Sequence, residues 1–294
     1  GVRVGAAVGA PATMASARGH VVAGNTIAGN DGNGVEVDGS GVAVTGVVGA
    51  TIGQTVTATK VSGVGNVIEG NKRVGIYVGP NAQQVSFQGN LIADNGYDEN
   101  GEPTGVPAVH VAAGANRSSA NTATFAFGRE VWDARTKKWV ADELHRDYLD
   151  QSVIVRGSQL ELYGKFSNPL AKQQQYSIDV YANSPYDVEG NVGVQYRRLL
   201  GRVTVMADAN GVVDFSRKAL VITAPVEVGE IITLTATSLR FEAGSTVLLN
   251  DLTRHSDHWK NLALGMSPAD LEIRYRKEVA KAVVEHPGIK QPIF

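Results

Sequence analysis

The sequence predicts an all-β protein in which a parallel β-solenoid is followed by an antiparallel sandwich. Three observations carry that expectation. The pattern G-N-x-I-x-(G/D)-N occurs three times, as GNTIAGN from Gly24, GNVIEGN from Gly65 and GNLIADN from Gly89. Each copy precedes a short alternating apolar run: Val35/Val37, Ile76/Val78 and Val109/Val111. GVRVGAAVGA at Gly1 and GVAVTGVVGA at Gly41 agree at six of ten positions, at an offset of 40 residues. Gly24 and Gly65 lie 41 apart, so the unit reads as two turns of roughly 20 residues each.

A solenoid needs short strands, stacked about 4.8 Å apart and separated by tight bends. Period-2 alternation turns Val35, Val37, Ile76, Val78, Val85, Phe87, Val109 and Val111 toward one interior. Ile27, Ile68 and Ile92 occupy one equivalent position, which predicts an aliphatic stack. Glycine before each asparagine suits bends that need positive φ, where a Cβ clashes. Asn25, Asn66 and Asn90 then fall at one corner, and Asn30, Asn71 and Asn95 at another. Amides stacked at strand spacing bond to one another along the axis, so these rows read as structural ladders, with a ligand site as the minor alternative. Val47 interrupts the asparagine row on the intervening coil.

GVEV, TIG from Thr51, GNVIEGN and GIYV resemble the right-handed parallel β-helix repeats of large secreted bacterial proteins of planctomycete type. The likeness covers roughly residues 1–115. It implies a right-handed parallel β-helix and a location outside the cell or on its surface. It does not imply one activity, because lyases, epimerases, tailspikes and adhesins share this architecture.

Composition bounds the rest. A chain of 294 residues suits two domains with an appendage. With 27 basic and 29 acidic residues the formal charge is −2, which offers no field for nucleic acid or an anionic membrane. The 34 glycines and 6% aromatics suit turn-rich β structure. No apolar run is long enough to span a bilayer. Cysteine is absent, so stability is expected from the β core rather than from disulfides. Gly1 already lies within a repeat, so the β-helix, assigned to residues 1–116, is expected to be truncated at that end and covered there by another segment or subunit.

Residues 117–151 form a bridge with strand-like runs Phe125–Trp132 and Lys138–Val140, and Trp132 and Trp139 flank the turn between them. A hairpin capping the solenoid is the main expectation here, with sugar-binding tryptophans as the alternative. Residues 152–255 carry strand-like runs at 153–156, 159–166, 176–182, 196–206, 212–218, 231–237 and 246–249, which fit an immunoglobulin-like sandwich. Asp208-Ala-Asn-Gly211 reads as a hairpin turn, and the threonines of Ile231–Thr237 as an exposed face. YSIDVYANS from Tyr176, LLGRVTVMADANGVVDFS from Leu199 and VGEIITLTATS from Val228 resemble the sandwich that often follows such β-helices. The SLRFEAGSTVLLND ending departs from that pattern. In the tail, 256–294, Ser267-Pro268-Ala269-Asp270 starts an amphipathic helix with Leu271, Tyr275, Val279, Ala282 and Val283 on one face. Such a stripe must dock, in cis on the sandwich or in trans on a neighbour.

Chemistry is sparse. Asp31, Asp38, Asp94 and Asp98 form no acid–base doublet of the galacturonan-hydrolase kind. Arg73, Tyr77 and His110 are the one cluster a lyase would use, set against a plain solvated face. Asp94, Asp98, Asn100 and Glu102 offer hard oxygens to Ca²⁺, against a simple acidic loop. His255 and His258 are a weak metal pair. No other cofactor is indicated. The expectation is a secreted or cell-surface structural protein for assembly or adhesion, binding itself, other surface proteins or polysaccharide. A polysaccharide lyase, an epimerase and a non-catalytic glycan-binding module are the alternatives.

Overall fold

The computed structural model describes residues 1–5, 19–38, 50–80, 82–100, 104, 106–112, 115–116, 124–141, 153–156, 158–169, 172–183, 195–226, 230–239 and 246–249. Among these every regular element is a strand, so the described part of the chain is all-β. The expected C-terminal helix, His255, His258, Glu102 and Val47 lie outside the described residues.

The first half comprises β1 (Val2–Gly5), β2 (Val21–Val22), β3 (Thr26–Ala28), β4 (Val35–Asp38), β5 (Thr51–Gly53), β6 (Thr55–Val56), β7 (Val61–Ser62), β8 (Val67–Glu69), β9 (Ile76–Val78), β10 (Ser86–Gln88), β11 (Leu91–Ala93) and β12 (Val109–Val111). They form three parallel sheets, β1-β4-β9-β12, β2-β5-β10 and β3-β8-β11, plus a small antiparallel hairpin of β6 and β7. The chain visits the three parallel sheets in turn. Val35 pairs with Ile76, and Ile76 with Val109, in unbroken register.

That register corrects the expected turn length. Val35 and Ile76 are direct neighbours, so 41 residues separate adjacent strands of a sheet, not strands two turns apart. The same spacing links Asn25 to Asn66, whereas Asn66 and Asn90 are only 24 apart. The β6–β7 hairpin accounts for much of the difference, because it is inserted between β5 and β8.

The aliphatics point inward. Val35, Val37, Ile76, Val78, Val85, Phe87 and Val109 are buried in one cluster, against which Val111 packs half-buried. Ile27, Ile68 and Ile92 are register partners within it. The glycines serve two purposes. Gly24 and Gly89 do take positive φ, at 68° and 64°, but Gly65 is needed for proximity, since a Cβ there would lie 1.7 Å from the Gly89 carbonyl oxygen. Gly34 and Gly75 are equally confined: a Cβ on either would meet the amide nitrogen of Asn71 or Asn95 at 2.9 Å.

The second half comprises β13 (Thr124–Phe127), β14 (Glu130–Asp133), β15 (Lys138–Ala141), β16 (Val153–Arg156), β17 (Gln159–Leu162), β18 (Gly164–Ser167), β19 (Gln175–Asn183), β20 (Arg198–Met206), β21 (Val212–Asp214), β22 (Leu220–Thr223), β23 (Ile231–Ser238) and β24 (Thr246–Leu249). Its sheets are antiparallel: β20-β19-β23-β24, β16-β17-β22 and β13-β18-β21. They share a core of Leu160, Leu162, Phe166, Tyr176, Ile178, Val180, Phe215, Ile222 and Leu234. Burial pushes the Tyr176 phenol up to about 12, although the Asn168 amide bonds it.

Three expectations change here. The run 125–132 is two strands, because the chain breaks at Gly128, whose N–H donates to the Tyr163 carbonyl. One part, β13, pairs with β18, and the other, β14, pairs with β15 in a separate ribbon. The ribbon's described contacts run to Ser216 and Arg217 of the antiparallel half. The Asp208–Gly211 turn joins β20 to β21, which belong to different sheets, so it is a corner rather than a hairpin. Asp208 accepts the N–H groups of Val212 and Asn210, which hold its carboxyl below the ordinary value. Finally, Thr233, Thr235 and Thr237 are buried, not exposed.

Candidate functional site

The asparagine rows are drawn together at the corners of the parallel sheets. Asn25 donates its backbone N–H to the Asn66 Oδ1 at 3.0 Å, and Asn66 donates likewise to Asn90 at 3.0 Å. Side-chain amides repeat the link at 3.2 and 2.9 Å. In the second row Asn30 bonds Asn71 and Asn71 bonds Asn95 through both backbone and amide nitrogens. The remaining amide hydrogens reach carbonyls, such as Asn90 to Ile52 and Asn95 to Ile68. Asn66, Asn71, Asn90 and Asn95 are fully enclosed. Their donors and acceptors are committed inside the protein, so these rows hold the fold.

Tyr77 and His110 are adjacent register partners on the outer face of the β1-β4-β9-β12 sheet. Their rings stack with centroids 5.5 Å apart and planes within 5°. Glu36 lies next to Tyr77 in the same row, followed by Arg3, whose Nε is 3.4 Å from the Glu36 carboxylate. Arg73 is exposed on the turn before β9, and its backbone N–H donates to the Gly32 carbonyl. The row therefore unites Tyr77 and His110 with Glu36 and Arg3, while no contact ties the Arg73 side chain to it. Arginine, carboxylate, phenol and imidazole set in line on an open face could hold a polyanion or a polar chain.

The acidic loop is divided. Asp94 takes φ +53°, in the position that Gly29 (φ +65°) and Gly70 (φ +62°) fill in the earlier repeats. Its carboxylate faces the Arg197 guanidinium, with Nη1 to Oδ2 at 3.0 Å and a second contact from Nη2 to Oδ1. The Asp98 carboxylate accepts the Asn100 N–H at 2.8 Å in a tight local turn. Asp94 thus points to an arginine, and Asp98 and Asn100 to each other. Among the described residues no group of three or more acidic or imidazole side chains is gathered as for a metal ion.

The most developed polar site was not anticipated. Along β19, Tyr176, Ile178, Val180 and Ala182 enter the antiparallel core, while Ser177, Asp179, Tyr181 and Asn183 face the other way and are also buried. The Asp179 side chain has no solvent exposure, and its register partner Arg202 donates to it from Nε at 2.5 Å and Nη2 at 2.7 Å. The same carboxylate accepts the Gly89 N–H at 3.0 Å and the Tyr181 hydroxyl at 3.3 Å. Arg202 also donates to Gln54 Oε1 at 3.0 Å. Burial, and then the Asp179 charge, push the Tyr181 phenol well above its ordinary value, so it stays a donor. Burial opposes the Arg202 charge, but Asp179 outweighs it and raises the guanidinium further.

These groups join the two halves. Tyr181 and Tyr196 belong to the parallel-sheet core, packed edge to face at 5.3 Å. Tyr196 and Ile92 exchange backbone hydrogen bonds of 2.8 Å, which pairs the outer edge of β11. Among the described residues, the antiparallel half meets this edge of the parallel core. Two signals in the sequence pointed there: an aspartate in the middle of the apolar run YSIDVYANS, and aspartate in place of glycine at position 94. No family model and no curated protein matches the chain.

Proposed function

We propose that this chain is a secreted or cell-surface structural and interaction protein, in which a right-handed parallel β-helix joined to an immunoglobulin-like sandwich serves extracellular assembly or adhesion. The observation that carries it is the investment of buried polar groups in rigidity. Two asparagine ladders brace the parallel half, and the Asp179–Arg202 pair, reaching Gly89 and Gln54, ties the antiparallel half to it. The cyclic order of the three parallel sheets supports the β-helix. The likeness of residues 1–115 to secreted repeat proteins supports the location. Light scattering on the purified protein, with binding assays on cell-surface fractions, tests the role. Self-association or surface binding is expected, and a strictly monomeric particle that binds no surface contradicts it.

One observation favours a second reading, an enzyme such as a polysaccharide lyase or epimerase. The Tyr77–His110 stack lies on an open face beside Glu36, where a phenol and an imidazole would serve in proton abstraction. Assaying alginate and pectate for unsaturated-uronate absorbance decides it. Activity that disappears in Y77F and H110A would replace the structural reading.

A further inference from the structure

The β14–β15 ribbon is a two-stranded sheet of its own, joined to the antiparallel half at its base through the Glu130 N–H and the Ser216 carbonyl. Trp132 and Trp139 are direct register partners on one face, yet are 51% and 43% exposed. Two indoles side by side on one exposed face form an apolar patch of the kind enriched at binding surfaces. These rings are also fixed in place. They pack at 5.7 Å and 66°, the Arg217 guanidinium lies 5.1 Å over Trp139, and Arg217 is anchored by the Glu130 carboxylate at 2.7 Å. The turn is equally set, because Asp133 accepts the Arg135 N–H and the Thr136 hydroxyl. A preorganised aromatic face loses little freedom on binding.

Its charge differs from that of the chain as a whole. Arg135 and Lys137 are exposed at the turn end, and Arg217, paired with Glu130, lies at the base of the indole face, in a protein of net charge −2. Among the described residues, the ribbon's own acids are engaged, Glu130 by Arg217 and Asp133 by the turn. We propose that this ribbon binds an acidic polysaccharide of the polyuronate class, with sugar C–H faces on the open indole surface and carboxylates on the flanking cations. The inference goes beyond the assembly role proposed above and does not rest on it.

The geometry favours this occupant over two others. Insertion into a membrane would drive the turn residues Asp133, Arg135, Thr136 and Lys137 in first, which is unfavourable. A single-stranded nucleic acid stacks successive bases on open parallel rings. Here the rings are inclined by 66° and one face of Trp139 is occupied by Arg217.

Tryptophan fluorescence of the intact chain, titrated with oligogalacturonate, tests the proposal. The chain has 3 tryptophans, and W259F confines the signal to the ribbon. Saturable quenching that weakens as salt rises is expected, with affinity falling about tenfold or more in W132A. K137E should lower affinity several-fold with both rings in place. Far-UV circular dichroism checks that each variant keeps the wild-type fold. No response to oligogalacturonate, unchanged affinity in W132A, or tighter binding of an oligonucleotide or of anionic phospholipid vesicles would each overturn it. Particle size measured in the same samples separates this outcome from failure of the assembly role.

Discussion

Asn71 and Asp179 are both enclosed polar side chains, but they are satisfied in opposite ways. Asn71 sits between Asn30 and Asn95, giving to one what it accepts from the other, in a row that repeats at the next corner. Asp179 is held by an arginine from β20, a backbone amide from the parallel half and a tyrosine two residues away. The first arrangement distributes neutral hydrogen bonds over many equivalent sites. The second concentrates charge at one junction. A ladder tolerates damage at its ends, whereas a junction of unlike partners depends on every member.

That contrast can be broken most forcefully at the junction. D179A leaves the Arg202 charge largely enclosed without its partner, and we expect a loss of about 3 kcal/mol or more in denaturant unfolding. Replacing both by apolar residues, D179L with R202M, should cost less than D179A alone. A neutral D179A would mean that the pair contributes nothing to the join.

The ladder should show a gradient instead. N71A removes acceptors from the Asn30 backbone and amide and orphans donors in a buried row, for about 2 kcal/mol, read by the same unfolding curves. N25A, at the exposed end, should cost under about 1 kcal/mol. Equal losses at both positions would argue that the row does not act as a ladder.

Position 94 sharpens the comparison, because it belongs to both systems. Aspartate there bears left-handed backbone strain that glycine avoids, and gains an arginine partner that is only partly buried. D94G is therefore expected to lie within about 0.5 kcal/mol of wild type, while D94A, which keeps the strain and loses the pair, costs about 1 kcal/mol. Thermal unfolding of the two variants checks the order.

The smallest effect is acidic. The Asp208 and Asp214 carboxyls are held below their ordinary 3.8 in the folded protein. For Asp208 the cause is backbone N–H donation from Val212 and Asn210. For Asp214, burial works the other way but is outweighed by Ser216 and Lys165. A lowered folded value means that the stabilisation is complete above the unfolded value and is lost as pH falls through the folded one. Melting temperature should therefore begin to drop below about pH 4, less steeply in D208N than in wild type.

What the sequence made legible follows the same division. Ile27, Ile68 and Ile92, and the six asparagines, recur in one motif, so their stacking could be read from spacing alone. The turn length could not: one turn takes three strands with their corners, and insertions such as the β6–β7 hairpin lengthen it without leaving a mark in the motif. The buried threonines of β23 looked like a solvent face because alternation reports two faces but not what covers each. Asp179, Arg202 and Tyr196 meet Gly89, Gln54 and Ile92 across large sequence separations, and each contact occurs once. One-off, long-range pairings have no periodic signature. Of the expected site residues, Tyr77 and His110 do meet, because both sit at the middle of a three-residue strand in register, while Arg73 lies on a turn outside it.

The chain contains no cysteine, so introduced pairs report register without interference. Glu36 and Tyr77 are facing neighbours in a parallel sheet, where strand spacing of about 4.8 Å suits a disulfide. E36C/Y77C should oxidise quantitatively to an intramolecular disulfide, and E36C/H110C, two strands apart, should not. Cross-linking of E36C/T57C in place of E36C/Y77C would restore a turn near 20 residues and contradict the stacking described for the parallel half.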